Sequence, residues 1–326
     1  MRGGAAFQSG APKGTGDAVV TSTLAGERIL LTGVTGQIAF PIGRSLAEHN
    51  EVWGVARFSD PRALDQVEAA GIRPVACDLA SGDFSGIPGD VSVVLHLAAY
   101  MQPGTDYNEA LRHNAESTGL LLQHCRAARA ALVMSTHSVY RPKGNPAHVY
   151  HEDDALGDVN MPGVPTYSVS KIGQEAVARF CARAFDLPVT IARMNAAYGP
   201  SGGLLAHHAD SVAAGKPIVT RADPCWYSPI HEKDIVAQLA SLVEAASTPA
   251  TVVNWSGDEA VSVQQWAAYM AELLGVEASV IVEHMPGTLS GSIADTARRR
   301  ALTGDCSVGW REGVRDMVAA RAASTR

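Results

Sequence analysis

The 326-residue chain has no surplus of positive charge: 26 basic residues face 33 acidic ones, a net charge of −7. A general nucleic-acid binder needs a basic face, so that class is disfavoured. The Arg298–Arg299–Arg300 cluster sits in an Ala-rich stretch and reads as an exposed helix face. Cysteine is sparse as well. The five residues, Cys77, Cys125, Cys181, Cys225 and Cys306, are widely spaced and odd in number, with no CxxC pair. A disulfide framework and a structural zinc site are therefore not expected, and a reducing, cytoplasmic compartment fits. His207 and His208 are adjacent rather than one helical turn apart, so no metal site is expected there either. No run of about 18 apolar residues is present to span a membrane. Residues 1–26 are rich in Gly, Ala, Ser and Thr and lack a compact apolar segment; they read as a flexible tail, not a signal peptide.

What is present is apolar material in a regular order. Hydrophobic residues make up 46% of the chain, enough for a sizeable core. Short apolar runs, ERILLTG, EVWGVAR, GIRPVACDL, VSVVLHLAA, AALVMST and LPVTIARM, alternate with helical stretches. Buried parallel strands read this way, and the alternation predicts an α/β doubly wound parallel sheet of the Rossmann kind. From about Ser201 the rhythm loosens, and TVVNW reads as one of several short strands there. The expected organisation is a dinucleotide-binding domain over 27–200, then a small α/β substrate lobe and C-terminal segment over 201–326.

The first strand runs into LLTGVTGQIAF. Gly33 permits a tight turn, Gly36 lets backbone approach a pyrophosphate, and Ala39 is small enough for close helix–strand packing. The helix that follows offers free N–H groups and the positive end of its dipole. The second strand ends Val55–Ala56–Arg57, without the carboxylate that would hold the ribose diol of NAD. Arg57 is either a reader of a 2′-phosphate or a solvated strand end; the first alternative favours NADP over NAD. Asp78, past the third strand, either meets the adenine or caps the following turn.

Tyr167 and Lys171 lie four residues apart in TYSVSKIGQEAVARF. With 8 tyrosines and five lysines in the chain, chance yields only about 0.1 such pairs. On a helix the two groups share one face. The hydroxyl cluster of MSTHSVY ends the strand just before that helix. Both belong at the C-terminal edge of the sheet, where such folds bind ligands.

At this point the chain resembles the extended branch of the short-chain dehydrogenase/reductase superfamily, from about Ile29 to about Val318. TGVTGQIA, DL at Asp78, HLAA at His96, HNAESTGLLLQHC, MSTHSVY, YSVSK, RMNAAYGP and SPIHEKDI occur in the family's order. The helix motif is permuted to Thr118–Gly119. The resemblance implies an NAD(P)-dependent oxidoreductase. Tyr167 would be the general acid/base. Lys171 would support it by charge and reach the nicotinamide ribose, and Thr136 would polarise the substrate carbonyl. Thr136 is preferred to Ser135 and Ser138 by its spacing before Val139–Tyr140. Asn114 either supports a relay water or is a helix-terminal polar residue. Cofactor contacts are expected from Gly33, Thr35, Gly36, Gln37, Ile38, Arg57, Asp78, Leu79, Leu97, Ala98, Ala99 and Asn195, besides Tyr167 and Lys171.

Many extended members act on nucleotide sugars and grip the diphosphate with an arginine four residues before the His/Tyr of an HVDD-like motif. Here Tyr227 holds that place, ahead of His231. Arg221 and Arg193 are the substitutes at hand, and Arg193 has a family-like structural place before MNAAYGP. The expectation is therefore a small, non-nucleotide carbonyl or alcohol as substrate and NADP or NAD as cofactor. The alternative is a nucleotide-sugar epimerase or dehydratase with tightly bound NAD. A non-catalytic dinucleotide sensor would not need Thr136, Tyr167 and Lys171. The resemblance allows a homodimer. Of the remaining residues, Trp255 and Trp266 read as packing, His231 as a brace for the next helix, and Glu152–Asp153–Asp154 as solvated loop.

Overall fold

A computed structural model describes residues 24–157 and 159–324. The tail expected over 1–26 lies outside the described residues up to position 23. Seven strands form one parallel sheet: β1 (Arg28–Thr32), β2 (Glu51–Ala56), β3 (Arg73–Ala76), β4 (Val93–His96), β5 (Ala130–Thr136), β6 (Val189–Met194) and β7 (Thr251–Trp255). Their order is β7-β6-β5-β4-β1-β2-β3. The chain starts in the middle, winds to one edge, returns past β1 and continues to the other, which opens a crevice where β1 and β4 diverge.

The strand sequences explain this placement. Every residue of β4 and β6 is buried, as expected where helices cover both faces of a parallel sheet. On one face α1 (Ala39–Leu46), α2 (Pro61–Ala69) and α7 (Glu232–Glu244) seal Ile29, Leu31, Leu95 and Leu132 beneath Ile42, Val67 and Leu239. On the other, α4 (Ser117–His124) and α5 (Thr166–Phe185) lay Leu121, Leu122, Ala178 and Cys181 against Leu30, Val94 and Val133. The short α3 (Tyr107–Leu111) leads into α4 through a π-turn at Arg112–Glu116.

A third core joins α6 (Leu204–Ala213), α8 (Val263–Leu274) and α10 (Trp310–Ser324) around Trp266, Met270 and Met317. The remaining helix, α9 (Ala297–Thr303), packs beside α7 and β7. The strand TVVNW belongs to the main sheet, not to this lobe: Thr251–Trp255 pairs with Thr190–Met194. Both α7 and β7, which lie beyond residue 200, contribute to the first core.

Two polar expectations are corrected. Arg299 is fully buried and ion-paired with Asp258, while Arg298 and Arg300 on either side are exposed. Glu152 is buried too, and its carboxylate accepts the Asn254 N–H at 2.9 Å; Asp153 alone of the acidic run is fully open to solvent. Both buried groups have partners far away in sequence, which remove the cost of burying their charge. Trp255 and Trp266 are core residues, and His231 Nδ1 accepts the Lys233 N–H at the start of α7. Among the described residues no helix is long and apolar enough to cross a membrane, and no group of three His, Cys, Asp or Glu side chains is placed to hold a metal ion.

Candidate active site

A groove of ≈ 470 Å³ runs along the C-terminal edge of the sheet. Gly33, Thr35, Gly36, Gln37 and Ile38 line one part, Arg57, Asp78 and Leu79 the next, and Leu97, Ala98 and Ala99 the floor, with Tyr167 and Met134 at one end. Twelve of the residues expected from sequence thus share one surface. Gly33 adopts φ +72°, and a Cβ there would stand 2.9 Å from Ala98 Cα. Only glycine permits this crossing of the first loop over the segment after β4. A Cβ on Gly36 would stand 3.1 Å from the Gly33 carbonyl. Thr35, Gly36 and Gln37 are exposed along the loop, and α1 begins without a side-chain cap. An uncapped helix start behind a bare glycine loop suits a pyrophosphate. The residues present fit a dinucleotide.

Arg57 is exposed at the end of β2 and lines the groove, followed by Phe58 in the left-handed region at φ 45°. Asp78 lines the groove and also caps the turn that follows, accepting the Ala80 N–H at 3.1 Å. Asn195 is placed elsewhere. Its amide donates to the Ser292 carbonyl at 2.7 Å and its Oδ1 accepts from Ser228 N at 3.2 Å, tying the end of β6 to the lobe.

The acid/base candidates meet at the end of β5. Tyr167 is the second residue of α5, half-buried, with Thr136 beside it. Burial pushes the Tyr167 hydroxyl up to about 12, against a smaller lowering by the Thr136 hydroxyl. Lys171, one turn on, is 1% exposed, and its Nζ donates to the Met134 carbonyl at 2.7 Å. Burial pushes the ammonium down to about 7, opposed by the Glu175 carboxylate. Glu175 is fully buried and ligated by Arg193 through both oxygens, at 2.9 and 2.8 Å, and by Ser135 Oγ at 2.6 Å. Three successive residues of β5, Met134, Ser135 and Thr136, therefore engage three polar side chains of α5. Asn114 holds the loop after β4: its Oδ1 accepts from Tyr100 N at 2.7 Å and its Nδ2 donates to Tyr100 O at 2.9 Å.

Tyr100, Met101 and His113 also line the groove and were not anticipated. The signal for Tyr100 and Met101 was positional, since they continue the Leu97–Ala99 segment that leaves the fourth strand at the ligand-binding edge. At the place of the expected arginine clamp, Tyr227 is half-buried in the lobe, its ring 5.6 Å from that of Trp266. Arg221 is turned to the Glu283 carbonyl and Arg193 to Glu175.

Residues 29–254 match the NAD-dependent epimerase/dehydratase family. The chain belongs to that family. It is a short-chain dehydrogenase/reductase-type enzyme of the extended branch. Among curated relatives, the dTDP-L-rhamnose 4-epimerase of Burkholderia thailandensis is 26% identical over 238 residues, 60% of this chain and 64% of that protein. A trifunctional UDP-glucose 4,6-dehydratase/UDP-4-keto-6-deoxy-D-glucose 3,5-epimerase/UDP-4-keto-L-rhamnose-reductase of Arabidopsis thaliana is 28% identical over 192 residues, 54% of this chain but 28% of that protein. The matched region thus spans less than two thirds of each relative. Among solved structures, the UDP-glucuronic acid 4-epimerase of Bacillus cereus, in complex with UDP-glucuronic acid and NAD, superposes with TM-score 0.78 at 21% identity. MoeE5 in complex with UDP-glucose and NAD gives 0.77 at 25% identity. Both comparisons cover 91% of this chain and 99% of the other. These relatives carry nucleotide sugars, so the expectation of a small non-nucleotide substrate finds no support among them, and the nucleotide-sugar alternative fits family members better. NADP as the preferred cofactor likewise finds no support in neighbours that bind NAD.

Proposed function

We propose that this enzyme interconverts an alcohol and a carbonyl on a nucleotide sugar, as an NAD-dependent epimerase or dehydratase. The observation that carries the chemistry is the convergence of Thr136, Tyr167 and Lys171 at one end of the glycine-loop groove. The substrate class rests on the named relatives. Gly33, Gly36, Ala98 and Ala99 would hold the dinucleotide, which when bound supplies hydride transfer. Tyr167 takes the proton of the substrate hydroxyl and returns it to the carbonyl oxygen. A hydroxyl at about 12 is protonated at neutral pH and ready to donate; to accept, it needs nearby positive charge, which Lys171 supplies. Thr136 orients the reacting oxygen.

One observation favours a second reading. Tyr227 and the diverted Arg193 and Arg221 leave no arginine at the expected clamp, which supports a substrate without a diphosphate. Arg57 similarly supports NADP. Thermal unfolding with UDP, dTDP, NAD(H) and NADP(H), one at a time, separates these readings by mass action. Stabilisation by UDP or dTDP together with NADH supports the nucleotide-sugar reading. Stabilisation by dinucleotides only removes it. A stronger effect of NADPH than NADH assigns Arg57 to the 2′-phosphate.

The exposed Leu120, Val169 and Phe180 on α4 and α5 support a homodimer through that face, which light scattering tests. The five free cysteines support a reducing, cytoplasmic location.

A further inference from the structure

We propose that His96 is a positioning residue that couples the dinucleotide cradle to the catalytic helix through one directed chain of buried hydrogen bonds. The proposal rests on the groove being a dinucleotide site. It begins where the cradle backbone is held. Thr32 Oγ1 accepts the N–H groups of Leu97 at 3.2 Å and Ala98 at 3.1 Å. Its acceptor capacity is then used, so its own proton goes to His96 Nδ1 at 2.8 Å. The ring proton therefore sits on Nε2 and is donated to Thr118 Oγ1 at 2.8 Å. Thr118 passes its proton to the Asn114 carbonyl at 2.7 Å. Asn114 Nδ2 donates to Ser170 Oγ at 2.9 Å, and Ser170 donates to the carbonyl of Tyr167 at 2.9 Å.

No hydroxyl proton is used twice along this path. Thr32, His96, Asn114, Thr118 and Ser170 are each at most 1% exposed, so water cannot replace a lost partner. A buried path whose hydroxyl and ring protons all have acceptors is stiff and fixes one arrangement. Burial keeps the imidazole neutral, its basicity pushed down to about 3, and Lys171 adds to that. The ring acts as a fixed two-ended spacer between β1 and α4, not as an acid or base. The π-turn at Arg112–Glu116 has a place in the same path, since it carries Asn114, the residue that grips both the Tyr100 loop and Ser170. Pieces from β1, β4, the π-turn and α5 are thereby set relative to one another, and each borders the groove or carries a reacting group.

The test uses Thr118→Val and His96→Phe, with Thr118→Ser as the conservative control. Thr118 is not a groove residue, so a purely structural role would lower thermal stability and leave cofactor binding alone. Removing the Thr118 hydroxyl breaks its bonds to His96, Gln174 and the Asn114 carbonyl and is expected to weaken NADH by roughly tenfold, read by titration of the tryptophan fluorescence. Thr118→Ser is expected to stay within about twofold of the parent, because it keeps the hydroxyl. Parent-like NADH affinity in Thr118→Val overturns the proposal. If either variant does not fold, His96→Gln, which replaces the rigid two-ended ring with a flexible amide, gives the same reading: weaker NADH supports the coupling and unchanged NADH contradicts it. A parent that binds neither NADH nor NADPH would sink the dinucleotide reading instead. The path is then read by amide exchange. Faster exchange at Leu97 and Ala98 in Thr118→Val supports it, and unchanged exchange refutes it.

Discussion

Lys171 Nζ donates a 2.7 Å hydrogen bond to the carbonyl of Met134, two residues before Thr136. This bond fixes the ammonium on the strand that ends in Thr136 and one helical turn from Tyr167. The helix offers the tyrosine and the lysine; the strand end sets where they point.

Burying that lysine has a pH signature. Its folded pKa of about 7 lies below the ordinary 10.5. Between those values the unfolded chain holds a proton that the folded chain has released, so this group's contribution to stability rises with pH. Below about pH 7 both states are protonated and the burial penalty is fully present. Lys171→Met removes the titration. The melting temperature of the parent is therefore expected to gain on that of the variant from about pH 7 to about pH 10. A difference independent of pH would show that Lys171 is not depressed.

The Glu175–Arg193 pair supports the site from below. Arg193 is 2% exposed, and Glu175 is fully buried. Removing one partner of a buried pair leaves the other charge uncompensated, typically at a cost of about 3–5 kcal/mol. Glu175→Gln is expected to lose stability on that scale in urea unfolding. A loss below about 1 kcal/mol would place the pair among ordinary surface bridges.

Gly33 is tested by the smallest possible change. A methyl group at φ +72°, 2.9 Å from Ala98 Cα, has no flexible neighbour to displace. Gly33→Ala is expected to destabilise by more than about 1 kcal/mol and to weaken dinucleotide binding. Unchanged binding in isothermal titration would mean that the loop does not seat the pyrophosphate.

Much of this architecture is legible in the chain itself. The first six strands announce themselves as short apolar runs, because a sheet covered on both faces needs largely apolar segments. Gly33, Asp78 and Thr136 follow from their places at or just past strand ends, and Tyr167 from its four-residue spacing to Lys171 on the helix after β5. What is not legible depends on partners distant in sequence. TVVNW reads as a strand, but nothing local assigns it to the sheet of Val189–Met194. Arg299 and Glu152 look solvated because Asp258 and Asn254, which satisfy them, are 41 and 102 residues away. Asn195 matches a family motif, yet its amide is committed to Ser292 and Ser228. Substrate identity is least legible, since Tyr227 marks a missing clamp without naming what replaces it.

The most direct measurement concerns the Tyr167 hydroxyl. Tyr167→Phe deletes one oxygen and leaves the ring in place, so melting temperature and NADH affinity should stay close to those of the parent. General acid–base catalysis contributes about 100- to 10,000-fold, so turnover of a UDP- or dTDP-hexose accepted by the parent should fall by that order. Turnover within a few-fold of the parent, with NADH still bound, would contradict the assignment of Tyr167 as the acid/base group.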